Sequence, residues 1–388
     1  MKNVYLDIIG KRHSLYNELV NHPPEGYNFM VDENPWDKTT QTIANNETIY
    51  WFQRNILSKV VPVNLAKSYV ERLKRIPSNV DLTYSSGHII FRDEPWIADC
   101  EYITHFAGYN YTHYSRYRRV IEKRLADANC KKIIPWTDEG AKTVCLTVKD
   151  KRIIEKVETV NLAVRPKIFT KQFNKNNVKL LFVGSANIPK DFDIKGGKEV
   201  VEAFIRLTKK YDNLELVIRS YVPEHVKQRC KKIENIRIID SVIPWNVLEE
   251  EFKISDIFLF PSYNTPGLAI LDAMSYELPV ITTNVWANKE MVQDGKSGYL
   301  IDCSTEVQYY TNEGVPNWSS PDNLKRIINY TDERIVDQLV VAISNLIENE
   351  SERRQMGVRG RELIKTGKFS IAKRNQKLKQ IFEESIPR

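Results

Sequence analysis

Two short segments hold residue types and spacings from which an anion-handling site can be built. The first is LLFVGSANIPKDFDIKGGKEVVEAF (180–204), where Gly184 ends an apolar run and Lys195-Gly196-Gly197 leads into a helical pattern. A lysine beside the free N–H groups of a helix start makes a pyrophosphate cradle, each charge-assisted bond contributing roughly 1.5–3 kcal/mol. The second is DIFLFPSYNTPGLAILDAMSYELPVITT (256–283). Here an apolar run ends at Pro261, a loop carries Asn264, Thr265 and Pro266, and a helix is predicted from about Gly267 and Leu268. That helix start would aim N–H donors and a positive dipole end at its ligand, and Gly267 leaves room for close approach. Asp272, inside the helix, accepts hydrogen bonds only when ionised and suits the adjacent hydroxyls of a ribose. Taken singly, Lys195 also reads as a surface lysine on a β–α turn, and Asp272 as a solvated helix residue.

The elements that must position these residues alternate in type. Strands are predicted at 178–184, 214–220, 235–240, 256–261, 279–283 and 298–302, with helical patterns between them. The clearest helix follows Gly197, where Val200, Ala203, Phe204 and Leu207 recur at i, i+3, i+4 and i+7. Repeated strand–helix alternation implies a parallel sheet with helices on both faces, which binds ligands beyond the carboxyl ends of its strands. The first half repeats the pattern, with strands predicted at 3–9, 27–31, 79–85, 96–103 and 131–135 and helices at 111–128 and 138–148. Residues 165–177 read as a linker, and 332–348, 351–365 and 370–384 as the closing helices.

Together the two segments resemble the nucleotide-binding half of the retaining glycosyltransferases with the GT-B fold, the large family numbered four. The resemblance rests on Gly184, Lys195 and Gly196, on Pro261-Ser262, Gly267-Leu268, Leu271-Asp272-Ala273-Met274 and Pro279-Val280, and downstream on Glu290, Asp294, Gly295 and Gly298. It covers about 178–381. It implies an α/β chain of two Rossmann-like, doubly wound parallel-sheet domains facing a central cleft. Residues 1–165 would form the acceptor domain, 166–368 the nucleotide-sugar domain, and 369–388 a helix crossing back to the first. It further implies transfer of a sugar from a UDP- or GDP-linked donor to a hydroxyl of a glycan, glycolipid or glycoprotein, a hexosyltransferase-like activity. Retention follows from the resemblance; independence of metal is expected if Lys195 and the helix start at Gly267 supply the positive charge, and the nucleotide sugar is a co-substrate, with no cofactor. Donor binding would fall to Gly10, Gly184, Ser185, Lys195, Asn264, Thr265, Pro266, Gly267, Leu268 and Asp272. The sequence departs from the family at Asn264, where a glutamate is usual, and at Ser185, where a basic residue is usual. A glutamate is also usual at Asp272, a conservative change.

On the acceptor side, Glu101 falls where the family places a histidine near the reacting carbon, with His105 just beyond. Either can orient a hydroxyl or accept its proton; His105 also reads as a satisfied loop residue. Lys195, Glu101, His105 and Asn264 are therefore the catalytic candidates. Residues 109–124 interleave tyrosines with basic side chains, a pattern that fits peripheral contact with an anionic membrane or, more simply, a solvated helix.

The 388 residues, 42% hydrophobic and 28% charged, fit two globular domains. Five scattered cysteines and six scattered histidines give no disulfide framework and no metal-ligand spacing. A net charge of +7 chooses no partner class, and nucleic acid is not expected. The first residues lack a signal-peptide pattern, and no apolar run reaches bilayer length, so a cytoplasmic protein, peripheral at most to the inner membrane face, is expected. The absence of G-x-G-x-x-G argues against a dinucleotide oxidoreductase, and the absence of a signal peptide against a periplasmic sugar-binding protein. A catalytically weak nucleotide-sugar-binding protein of the same fold is the remaining alternative.

Overall fold

The structure is a computed structural model that describes residues 1–8, 14–31, 62–171, 177–264 and 268–387. These fall into two compact units. The first is Met1–Ala163, Tyr310–Pro316 and Ile371–Arg388; the second is Val164–Tyr309 and Asn317–Ser370.

The first unit is built on a sheet ordered β2-β1-β3-β4-β5, every neighbouring pair parallel. Its strands are β1 (Lys2–Asp7), β2 (Tyr27–Met30), β3 (Leu82–Ser86), β4 (Trp96–Cys100) and β5 (Cys130–Pro135). The order reverses between β1 and β3, so their carboxyl ends flank this sheet's switch point. Strand β4 ends three residues short of the predicted 103. The chain turns instead into a 3-10 helix, Ile103–Ala107, because the Glu101 N–H is donated to the His105 ring and is lost to the ladder. The helix Tyr111–Ala126 places Tyr114, Ile121 and Leu125 against Trp96, Phe106 and Ile133 in the core. Val315, from the short returning segment, is fully buried in the same cluster. The last helix, Ile371–Ser385, sets Phe382 edge-on to Tyr27 and Phe29 and ties Arg374 to the carbonyls of Glu18 and His22.

The second unit holds β6 (Val178–Val183), β7 (Leu214–Arg219), β8 (Ile236–Ile239), β9 (Ile257–Phe260), β10 (Val280–Thr283) and β11 (Gly298–Ile301). They form an all-parallel sheet ordered β11-β10-β9-β6-β7-β8. Its central strands are buried along nearly their whole length, which is why they read as continuous apolar runs. The order reverses between β6 and β9, so the loops after these two strands flank the crevice where such sheets bind ligands. Helix Gly197–Leu207 packs on Glu333–Glu348, as its apolar stripe predicts, and Glu350–Lys365 packs on Ala269–Ser275. No described helix is long and apolar enough to cross a membrane.

Candidate functional site

Lys195 and Asn264 lie on opposite sides of the switch point in the second unit, and the fold joins them. Lys195 follows a short helix, Asp191–Ile194, after β6; Asn264 follows β9. The Lys195 ammonium donates to Asn264 Oδ1 over 2.6 Å. It also lies 5.1 Å from the centre of the Phe260 ring, a cation–π contact. Because lysine only donates, this bond fixes the amide: its oxygen faces Lys195 and accepts a second bond from the Ser262 hydroxyl at 2.8 Å. The Asn264 NH2 remains a donor. A glutamate there would bring a negative charge to the lysine, whereas asparagine keeps the bond and is itself neutral.

The backbone brings these loops together closely. Gly196 has φ 79, and a Cβ on it would sit 2.4 Å from the Pro261 carbonyl oxygen. Only glycine meets both demands without strain. The Tyr263 N–H donates to the Ile194 carbonyl at 2.9 Å. Behind the loop, the Tyr263 hydroxyl donates to buried Glu199 at 3.0 Å, and Glu199 also accepts the Asp332 N–H. Burial lifts the Glu199 carboxyl to about 7, only partly countered by Lys198 and these hydrogen bonds.

The other donor-side candidates divide. Asp272 sits half-buried in the first turn of Ala269–Ser275, where the helix dipole favours a carboxylate, and Leu268 is that helix's N-cap. Gly184 lies just past β6, so close to Ser220 that a Cβ would come within 2.5 Å of its hydroxyl. The Ser185 N–H is taken by Asp191 (2.9 Å), and its hydroxyl donates to Asn187 (2.6 Å). Lys198, three residues after Lys195, turns away and binds the carbonyls of Ile328 and Tyr330 at the C-terminal end of helix Pro321–Asn329. Gly10, Thr265, Pro266 and Gly267 lie outside the described residues.

At the carboxyl edge of the first unit, Glu101 is half-buried just past β4, and its carbonyl lies against Gly140, where a Cβ would approach to 2.2 Å. His105 is buried and enclosed, stacked on Tyr109 at 4.3 Å and edge-on to Trp136 at 5.7 Å. Its Nδ1 accepts the Glu101 N–H at 3.2 Å. Burial, with a contribution from His88, drops its pKa to about 3, so the ring is neutral with its proton on Nε2. Of the two, Glu101 is the more open side chain. Across this sheet's switch point, Asp7 binds Arg92 and lies 3.5 Å from His88 Nε2. Burial pushes the Asp7 carboxyl up, but His88 and Arg92 outweigh it and hold it well below the usual range. At the end of β4, buried Asp99 accepts bonds from the Tyr16 and Tyr84 hydroxyls, and burial raises its pKa to about 7.

Residues 169–311 match the family described as Glycosyl transferases group 1. A probable sucrose-phosphate synthase from Thermosipho melanesiensis is 28% identical over 164 residues, which is 39% of this chain and 38% of that protein. Among solved structures, Anabaena HepE in complex with UDP-glucose superposes over 99% of both chains with a TM-score of 0.59 at 13% identity. A point mutant of S. aureus TarM, solved in complex with UDP, alpha-GlcNAc-glycerol and Fondaparinux, gives 0.55 over 81% of this chain and 57% of its own, also at 13%. With two parallel-sheet α/β units already traced, this likeness decides the architecture. The fold is GT-B.

Several features of this GT-B chain escape sequence reading. Arg219 ends β7 as an ordinary alternating strand residue, yet its guanidinium reaches the Gly184 carbonyl at 2.8 Å. Glu199 reads as an exposed helix acid and is wholly buried. His88 and Arg92 read as loop residues and are locked onto Asp7. An acid facing an apolar helix stripe, as Glu199 does next to Val200, is the one signal that would have flagged such burial.

Proposed function

We propose that this protein is a glycosyltransferase that moves a sugar from a UDP- or GDP-linked donor to a hydroxyl of a glycan, glycolipid or glycoprotein. The reading is carried by the Lys195–Asn264 pair at the β6/β9 switch point, inside the stretch that matches the group 1 family. HepE, TarM and a pneumococcal O-GlcNAc transferase were each solved with UDP or UDP-glucose, which supports a nucleotide sugar as the donor class. In the reaction the acceptor oxygen bonds to the anomeric carbon as the bond from that carbon to the diphosphate oxygen breaks. The hydroxyl proton passes to the leaving phosphate, on the same face, so configuration is retained. Lys195 and the N–H groups leading into Ala269–Ser275 stabilise the charge that grows on the diphosphate, a task that needs no metal ion when cations of the chain perform it. Asp272 receives the ribose hydroxyls, and the Asn264 NH2 binds a sugar hydroxyl or phosphate oxygen. The first unit takes the acceptor: Glu101 orients its hydroxyl, and His105 positions Glu101 through the backbone.

Helix Tyr111–Ala126 exposes Tyr111, Arg116, Arg119, Val120 and Lys123 on one side, a face suited to the headgroups of an anionic membrane that carries a lipid-linked acceptor. A second reading, nucleotide-sugar binding without turnover, draws support from Ser185, whose amide is already occupied by Asp191. One experiment separates the two. Thermal-shift and calorimetric panels of UDP, GDP, ADP and their sugars identify the ligand, and release of free nucleoside diphosphate in the presence of acceptors reports transfer. Binding without release supports the second reading; no binding of any nucleotide, or a ligand lodged away from Lys195, overturns both.

A further inference from the structure

The rim of the second unit carries one more cation, which the proposed reaction leaves without a role. Arg219 ends β7, which neighbours β6 on the side away from β9. One guanidinium N–H donates to the Gly184 carbonyl, while its Nε is buried with no hydrogen-bond partner. No carboxylate pairs with Arg219 among the described residues, and burial alone lowers its pKa, with no acid to offset it. The Tyr221 N–H and the Ser220 hydroxyl both bind the Ser185 carbonyl, so the end of β7 is laced to the turn after β6. A half-buried cation without a counter-ion costs stability, and folded chains keep such groups paired or for a charged ligand. This one stands at the carboxyl edge of a parallel sheet, where anions bind.

We propose that Arg219 is the second cation of the donor site and binds the diphosphate of the nucleotide sugar; this deepens, and rests on, the function proposed above. Lys195 is tied to the β9 side of β6 and Arg219 to its β7 side, so the two positive groups bracket the turn that starts at Gly184. That turn supplies no cation at its first position, since Ser185 has both its N–H and its hydroxyl engaged within the loop. The guanidinium, with one N–H on a carbonyl, keeps donors in a planar fork that matches two phosphate oxygens.

The test is calorimetric titration of the wild-type chain, Arg219→Gln and Arg219→Lys with UDP and GDP, using uridine and guanosine as phosphate-free controls. Arg219→Gln is expected to bind the preferred diphosphate about tenfold more weakly or worse, with nucleoside binding unchanged, and Arg219→Lys to recover part of the loss. Diphosphate affinity within roughly twofold of wild type in Arg219→Gln overturns the proposal, as does an equal loss for nucleoside and diphosphate, the mark of a merely structural role. Wild-type binding to neither diphosphate overturns the nucleotide-sugar reading, and this one with it.

Discussion

Asn264→Asp should make the protein slightly more stable and a poorer binder at once. The substitution is nearly isosteric, and its oxygen can keep the 2.6 Å contact with Lys195. What changes is the charge and the NH2, which becomes a second carboxylate oxygen. A diphosphate oxygen bound at the same rim would lie about 6 Å from the new charge, and at an effective dielectric of about 20 the repulsion is about 3 kcal/mol per charge pair. Screening at physiological salt reduces that, so we expect about 1–2 kcal/mol, a five- to thirtyfold loss of nucleoside diphosphate affinity. The half-exposed ion pair formed with Lys195 adds up to about 1 kcal/mol of stability, roughly 2–4 °C in Tm. Calorimetry with the preferred diphosphate and a melting curve without ligand check both. Affinity equal to wild type would show that Asn264 does not face the diphosphate, and the charge argument would fail.

Lys195→Ala should lose about 1.5–3 kcal/mol of diphosphate affinity and about 10²–10³-fold in turnover, with only a small change in Tm; full turnover in a folded variant would remove the lysine from the chemistry. Gly196→Ala should destabilise the second unit by about 2–4 kcal/mol, because a left-handed residue would drive its methyl into Pro261; a melting curve like that of wild type would refute the close approach. Glu199 titrates near 7 when folded and at its ordinary 4.5 when unfolded, so the unfolded chain ionises first. Stability from this group is therefore full below about 4.5 and falls as pH rises towards about 7. Glu199→Gln should flatten that fall in a series of denaturant titrations across this window.

How much of this was legible follows from what each residue type reports. The strands of the second unit could be read because burial on both faces demands unbroken apolar runs such as LLFV and IFLF. Helix Gly197–Leu207 could be read because its stripe repeats with the helical period. Lys195 and Asn264 stood out through the glycines and the strand ends beside them, yet nothing in the spacing showed that they bond to each other. That depends on strand order, which brings β9 beside β6 across 69 residues of chain. Lys195 and Lys198 look interchangeable in sequence; the left-handed turn at Gly196 sends one to the rim and the other to a helix end. Arg219 was silent because a single arginine at a strand end is ordinary, and its missing counter-ion appears only in three dimensions. The return of Tyr310–Pro316 to the first unit was equally hidden, since its apolar signal within YYTNEGVPN is little more than Val315.

That returning stretch bears on how such chains can be recombined. The polypeptide passes between the two units four times, at 163/164, 309/310, 316/317 and 370/371. A gene fragment ending at residue 163 would encode a first unit deprived of Val315 and of the closing helix with Phe382, leaving uncovered core where each side chain alone is worth roughly 1.5–3 kcal/mol. Grafting a foreign second unit onto this first unit therefore requires three splice pieces in register, with a seven-residue plug retained from the original parent.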